Sequence, residues 1–113
     1  MHYSPVPKSG RLYDGNELIG TSVLDEDNMS ISFMCDYVDF NLVEVELWDD
    51  VTIDSIEGQM NAYGTQFTYQ FSNGVLSISK SSGKWYANNV GFYVTLTRGG
   101  VEGYLIIYIN FNK

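Results

Sequence analysis

A two-residue turn between alternating runs is the feature that most constrains how this chain folds. The segment 71–75 reads Phe-Ser-Asn-Gly-Val, and Asn73-Gly74 supplies the two positive φ angles of a type I′ turn. Such a turn pairs residues before it with residues after it: Ser72 with Val75, Phe71 with Leu76, and Tyr69 with Ile78. Together with Phe67, the aromatic side chains then share one face with the aliphatic ones. Turn chemistry and hydrophobic alternation therefore predict the same hairpin.

A second hairpin is predicted around Arg98-Gly99-Gly100, whether its loop has two or four residues. One face collects two alternating apolar sets, namely Val90, Phe92, Val94 and Leu96, and Leu105, Ile107, Ile109 and Phe111. The opposite face is amphipathic instead of charged and consists of Tyr93, Thr95, Tyr104, Ile106 and Tyr108. Because a solvated sheet face should be plainly polar, we expect this face to be covered or to contact something.

The rest of the chain also favours strands. A first strand is expected over 18–24, and residues 29–35 alternate as in a half-buried strand. The segment 38–47 changes parity near Leu42-Val43; we interpret it as a bulged strand, with a helix as the alternative. The pattern predicts an all-β fold, a small antiparallel barrel or sandwich of about seven to nine strands in a meander-like order. The chain has 113 residues, a length that fits one domain. We expect an extended leader over 1–16 and a single all-β domain over 17–113.

Composition excludes disorder, since 44% of the residues are hydrophobic and 15% are aromatic. The net charge of −8 opposes direct nucleic-acid binding. No Lys or Arg occurs between Leu12 and Ser79, a stretch that holds thirteen of the fourteen acidic residues. A candidate acidic patch comprises Asp25, Glu26, Asp27, Asp49, Asp50 and Asp54. These carboxylates are either a solvated surface or a patch that faces a cationic partner.

Catalysis and metal binding find little support. The single His is His2, near the start of the chain, and the single Cys, Cys35, occupies an inward strand position, so no nucleophilic triad is indicated. The acidic loops lack the spacing of an EF-hand, and no phosphate-binding glycine motif occurs. We therefore expect no enzymatic activity, no metal site and no cofactor.

Localisation and oligomeric state stay open. No run of apolar residues is long enough for a transmembrane helix, and residues 1–11 do not form a signal peptide as they stand. Export to the periplasm or cell surface, with the signal already removed, is favoured over the cytoplasm.

Aromatic residues are the candidate binding groups, because they combine an apolar body with a polar tip. The candidates are Trp48, Trp85, Tyr86, Tyr93, Tyr104 and Tyr108. They would line a ligand cavity or form a binding face. The alternative is that they are ordinary core and edge aromatics.

The segment Glu17-Leu18-Ile19-Gly20-Thr21 resembles the start of the first strand in small bacterial lipocalin-like (calycin) domains, with Ser22 where that family has a tryptophan. The resemblance spans roughly residues 17–111 and implies a barrel with an internal apolar cavity and a non-catalytic binding role. A lipocalin-like barrel is thus the favoured form of the all-β fold.

Two functions follow as hypotheses. The first is a non-catalytic binding module that recognises a small apolar ligand or a partner protein through an aromatic-lined barrel interior or face. The second is an acidic inhibitor or immunity-type protein that blocks a basic enzyme or mimics nucleic-acid charge. An enclosed cavity would favour a small ligand, whereas a filled interior would favour recognition at the surface.

Overall fold

The computed structural model describes residues 8–14, 16–25, 27–35, 41–60, 66–82 and 89–111. Within these ranges the secondary structure consists of β-strands and turns, without a helix. The strands are β1 (Ser9–Asp14), β2 (Glu17–Asp25), β3 (Ser30–Cys35), β4 (Leu42–Glu46), β5 (Val51–Met60), β6 (Gln66–Ser72), β7 (Val75–Ser82), β8 (Asn89–Arg98) and β9 (Val101–Phe111). The all-β prediction is confirmed, and the described strands are as many as the upper end of the predicted range.

All nine described strands belong to one sheet, in the order β5-β8-β9-β3-β2-β1-β4-β7-β6. Neighbours are antiparallel except for β3 and β9, which run parallel. The meander-like prediction is wrong, because chain neighbours pair only in β1-β2-β3, β6-β7 and β8-β9. Alternation specifies which side chains of a strand are buried, but it carries no information on which strand lies next to it.

The sheet buries one face by curling over on itself. Phe67 on β6 and Phe92 on β8 come from strands near opposite ends of the sheet order, yet their ring centroids are 5.0 Å apart. The described core between the two halves is one cluster of buried hydrophobic side chains, among them Leu12, Phe33 and Ile107, each fully buried. The arrangement is sandwich-like, with β5 and β6 as the edges of the described sheet.

The predicted leader contains a central strand. β1 pairs with β2 on one side and with β4 on the other, and its Leu12 is fully buried. The predicted boundary at residue 16 is therefore wrong for residues 9–14, while residues 1–7 lie outside the described ranges. β1 is hard to detect because Gly10 and Arg11 interrupt its apolar alternation. The turn predicted over Tyr13–Asn16 is confirmed, since Asp14 pairs with Glu17.

Both predicted hairpins are confirmed. Asn73 and Gly74 have φ angles of 53° and 80°, and β6 pairs with β7 in the predicted register. Tyr69 is nevertheless 46% exposed, because β6 is an edge strand. The β8–β9 loop has two residues, since Arg98 pairs with Val101. The predicted inward residues of this hairpin are buried, apart from Phe111, whose side chain lies outside the described part.

The segment 38–47 was open between a strand and a helix. Its described part contains β4, so the strand interpretation holds there. Val43, Val45 and Leu47 are buried, and β4 pairs regularly with β1 and β7 from Leu42 to Glu46. Val38 and Phe40, which carry the opposite parity, lie outside the described residues.

Candidate binding face

The outward face of the β8–β9 hairpin is the best candidate site. Because side chains alternate along a strand, burial of Phe92, Val94 and Ile107 turns their chain neighbours outward. We call this outward set the tyrosine face; it consists of Tyr93, Thr95, Tyr104, Ile106 and Tyr108. Three of the four tyrosines among the predicted binding residues, Tyr93, Tyr104 and Tyr108, are thus brought together.

Two of these tyrosines form a flat platform. Tyr93 pairs with Ile106 and Thr95 pairs with Tyr104, so the two tyrosines are diagonal neighbours across the hairpin. Their ring centroids are 5.5 Å apart and their planes are inclined by 9°, which is a stacked arrangement. Tyr104 is 40% exposed, so the platform is accessible to solvent.

A pocket opens beside this platform, because a strand with short side chains lies next to one with tall side chains. The parallel pairing of β3 with β9 sets Ser30 beside Ile106 and Ser32 beside Tyr108. The resulting pocket is open to solvent and has a volume of about 470 Å³. Its lining comprises Asp25, Asn28, Ser30, Ser32, Tyr104, Ile106 and Tyr108.

Asp25 places an ionised carboxylate at one end of this pocket. The side-chain amide of Asn28 donates to Asp25 Oδ2 at 2.8 Å, and the backbone N–H of Asn28 donates to Asp25 Oδ1 at 3.2 Å. The side-chain bond and then the backbone bond lower the pKa of Asp25 from its ordinary value of 3.8, because both stabilise the charged form. The turn that joins β2 to β3 thus fixes a negative charge at the rim.

More carboxylates surround the tyrosine face. Glu57 on β5 lies opposite Tyr93, and Glu102 on β9 lies opposite Thr97, whose hydroxyl donates to Asp54 Oδ2 at 2.7 Å. In the described part of β5, β8, β9 and β3, the outward positions include no Lys or Arg. This side of the sheet therefore presents tyrosine rings within a negative field.

The structure does not place Trp48 with the tyrosines. Trp48 is partly buried and packs against the hydrophobic core, and two cations lie over its ring. Lys8 Nζ is 4.1 Å and Arg98 Cζ is 4.3 Å from the ring centroid, and Arg98 Nε donates to Asp50 Oδ1 at 2.8 Å. These contacts indicate a packing role for Trp48, which is not part of the tyrosine face, and its part in binding stays a prediction. The other two predicted aromatics, Trp85 and Tyr86, lie outside the described residues.

The acidic candidates do not form one patch. Asp25 ends β2 and Asp27 lies in the turn that follows it, whereas Asp49 and Asp50 lie in the β4–β5 turn. In the sheet, β8, β9 and β3 separate β5 from β2. Asp54, on β5, accepts the hydrogen bond from Thr97 described above. Glu26 lies outside the described ranges. No group of three or more His, Cys, Asp or Glu residues able to hold a metal occurs among the residues described.

Sequence reasoning missed the β3 side of the pocket. The Asp25-x-x-Asn28 spacing is typical of a side-chain-capped turn and was available as a signal. The contribution of Ser30 and Ser32 to the pocket has no signal in the sequence, because it depends on the parallel pairing of β3 with β9.

A second pocket in the described structure lies on the outward side of β4, β7 and β6 and has a volume of about 320 Å³. Its lining consists of Glu44, Gln70, Ser72, Asn73, Val75 and Ser77 and contains no aromatic side chain. Since aromatic side chains contribute most to affinity in binding sites, the pocket beside the tyrosine face is the stronger candidate.

Comparisons with known proteins leave the family open. No family model matches the chain, and no curated protein matches it. A solved structure, the NMR structure of a protein from Bacteroides thetaiotaomicron, superposes with a TM-score of 0.49 at 10% identity, over 100% of this chain and 96% of that one. The lipocalin resemblance therefore stays a prediction. Among the described residues, no helix has the length and apolar character needed to span a membrane.

Proposed function

We propose that the protein is a non-catalytic binding module and that its tyrosine face binds a partner protein by receiving a Lys or Arg side chain in the adjoining pocket. The observation that supports this most is the open 470 Å³ pocket, which has tyrosine rings along its wall and the Asp25 carboxylate at one end. The proposal requires no cofactor and no chemical step.

The described interior favours a surface site over an internal ligand. Residues from both halves of the sheet are fully buried. Phe33, Leu76 and Phe92 each have 0% of their surface accessible to solvent. Close-packed side chains of this kind leave little room for a small molecule between the halves. Recognition at the outward face needs no rearrangement of this core.

A basic side chain matches the chemistry of the pocket. The rings of Tyr104 and Tyr108 can accept a cation over their faces, an interaction of about 0.5–2 kcal/mol depending on exposure. The aliphatic stem of Lys or Arg would cover Ile106 while the charged head reaches Asp25. The surrounding carboxylates Glu57 and Glu102 would raise the rate of association with a cationic partner.

The acidic-inhibitor hypothesis has less support as a function of the Asp49–Asp54 region. Asp50 is already paired with Arg98, and Asp54 accepts a hydrogen bond from Thr97. A partner would have to compete with these internal contacts. Within the described ranges, the carboxylate at the tyrosine pocket accepts its hydrogen bonds from Asn28 and Asp27 of its own turn, so a partner can reach it without breaking a contact to another strand.

NMR titration with butylguanidinium, which reproduces an arginine side chain, tests the proposal. We expect saturable shifts centred on the backbone amides of Ser30, Ser32 and Ile106, at millimolar concentrations of the probe. Butylurea has the same stem without the charge and should bind at least about threefold more weakly. The variants Asp25→Asn and Tyr104→Ala should each weaken butylguanidinium binding by a similar factor.

A matched variant tests whether butylguanidinium binding requires the carboxylate at the pocket or any carboxylate of the chain. Asp49→Asn removes one carboxylate, as Asp25→Asn does, but at an exposed turn away from the pocket, so it should leave binding unchanged. Shifts centred on the Asp49–Asp54 region would contradict the proposal and support the acidic-inhibitor hypothesis. Equal binding of butylurea would instead indicate an apolar ligand.

A further inference from the structure

The outer edge of β6 leaves main-chain hydrogen-bonding groups without a strand partner in the described sheet, where β7 is its neighbour on the other side. The two-residue turn makes Ser72 and Val75 a hydrogen-bonded pair. Because bonded and non-bonded pairs alternate along an antiparallel ladder, the backbone groups of Phe67, Tyr69 and Phe71 point away from β7. These groups form a template for another strand.

β6 carries none of the side chains that usually protect an edge. Its seven residues, Gln-Phe-Thr-Tyr-Gln-Phe-Ser, include no charge and no proline. Its register shift lies at the start, between Gln66 and Phe67, so 67–72 pairs regularly. Uncharged six- or seven-residue segments of high β propensity are those most able to pair with other strands.

The opposite edge of the described sheet differs in its charge and in the regularity of its pairing. β5 carries two carboxylates, Asp54 and Glu57, and a register shift between Ile53 and Ser55 interrupts its pairing near the middle. Charges and bulges of this kind prevent edge-to-edge association. One edge of the described sheet is therefore protected and the other is open.

The sequence of β6 is complementary to itself in antiparallel orientation. A two-fold axis through Tyr69 would pair chemically similar residues: Tyr69 with its own copy, Phe67 with Phe71, Thr68 with Gln70, and Gln66 with Ser72. Interfaces between identical subunits require this kind of self-complementarity. Phe–Phe and Tyr–Tyr cross-strand pairs also stabilise antiparallel strands by about 0.2–1 kcal/mol each.

Charge and exposure favour the same pairing. With a net charge of −8 on each, two copies of the chain repel least where they meet through segments without charged side chains, and β6 is such a segment. Tyr69 is 46% exposed, and Phe67 and Phe71 are only partly buried. A second strand would cover the exposed parts of all three rings.

We infer that the β6 edge is a self-association surface, on which a second copy of this chain adds its own β6 as an antiparallel strand, so that the sheet continues through a two-fold axis. The pairing centred on Tyr69 provides about six main-chain hydrogen bonds, two for each outward-pointing residue pair. This surface is separate from the tyrosine face and does not depend on the function proposed for it.

Sedimentation equilibrium over a wide concentration range tests the inference. The wild-type mass should rise from 12.8 kDa toward twice that value as concentration increases. Tyr69→Lys places two like charges across the axis and should keep the chain at the mass of one copy. The double variant Thr68→Glu/Gln70→Glu should do the same through two exposed side chains, whose replacement leaves the core untouched.

The matched control is Thr52→Lys, which changes the net charge as Tyr69→Lys does but at the β5 edge, and it should associate at least as well as the wild type. Hydrogen exchange gives a second readout: amides of Phe67, Tyr69 and Phe71 should exchange more slowly at high concentration, whereas those of Thr68 and Gln70 should not change. A wild-type chain that stays monomeric at millimolar concentration would overturn the inference. So would a dimer that persists in both β6 variants or that is lost in Tyr104→Ala.

Discussion

The rings of Tyr93 and Tyr104 stack on the outward side of the β8–β9 hairpin, with centroids 5.5 Å apart and planes inclined by 9°. The stack is a consequence of register, because Tyr93 faces Ile106 and Tyr104 faces Thr95, which leaves the two rings on a diagonal of the sheet. Each ring limits the freedom of the other before any partner arrives. The platform is thus organised in advance, which lowers the entropic cost of binding.

A double-mutant cycle measures this stack. Tyr93→Ala, Tyr104→Ala and the double variant should give a coupling free energy of about 0.5–1.5 kcal/mol in urea denaturation, as for other aromatic pairs. The matched pair Tyr93 and Tyr69, on different sheet faces, should be additive. A coupling indistinguishable from zero for Tyr93 and Tyr104 would show that the stack does not contribute to stability.

Asp25 should titrate below its ordinary pKa of 3.8, and carboxyl-carbon NMR can follow it. Its folded-state pKa is depressed, so its contribution to stability is present above the pKa of the unfolded chain and is lost as pH falls through the folded value. Asn28→Ala removes the larger of the two hydrogen bonds from Asn28 and should move the Asp25 pKa upward. An unchanged pKa in that variant would contradict the assigned cause.

Two glycines in equivalent turn positions should respond differently to alanine. Gly74 and Gly100 have φ angles of 80° and 77°, so alanine meets the same backbone strain at both, about 1–2 kcal/mol. At Gly74 an added Cβ would also lie 3.3 Å from the backbone of Leu47 and of Asp49, whereas nothing lies within 4 Å at Gly100. Gly74→Ala should therefore lower the free energy of unfolding by about 1 kcal/mol more than Gly100→Ala does.

The cations around Trp48 should contribute to stability. Arg98→Met keeps much of the apolar stem but removes the cation over the ring and the ion pair with Asp50, and it should cost about 1–2 kcal/mol in denaturation followed by tryptophan fluorescence. The control Arg11→Met removes a more exposed arginine that is 3.6 Å from Glu44, and it should cost less than about 0.5 kcal/mol. Equal losses of unfolding free energy in the two variants would mean that the contact between Arg98 and the Trp48 ring does not contribute to stability.

The hairpins were predictable because their information is local. Asn73-Gly74 and Gly99-Gly100 specify two-residue turns, and the alternation on either side specifies the buried face. The order of strands was not predictable, since the pairing of β1 with β4 and of β3 with β9 joins residues far apart in the chain. The pattern of β1 predicts a leader for the same reason, because the burial of β1 comes from two neighbouring strands that its own sequence does not indicate.

The candidate site also has residues that the local sequence pattern identifies and residues that only the strand pairing reveals. Tyr93, Tyr104 and Tyr108 were identified because they replace the polar residues expected on an outward face. Residue type alone groups Trp48 with them, yet Trp48 packs against the hydrophobic core, whereas the tyrosines point outward. Ser30 and Ser32 were missed because small polar residues become a pocket wall only when a strand with larger side chains lies beside them.

The position of β9 has a consequence for the order in which this protein can assemble. β9 comes after the other described strands along the chain, yet it lies between β8 and β3 in the sheet. The six strands from β3 to β6 in the sheet order can pair with one another before β9 is available, and β5 can pair with β8 alone. Two separate strand groups can therefore form first, and until β9 joins them β3 keeps one side open to pairing with a wrong strand.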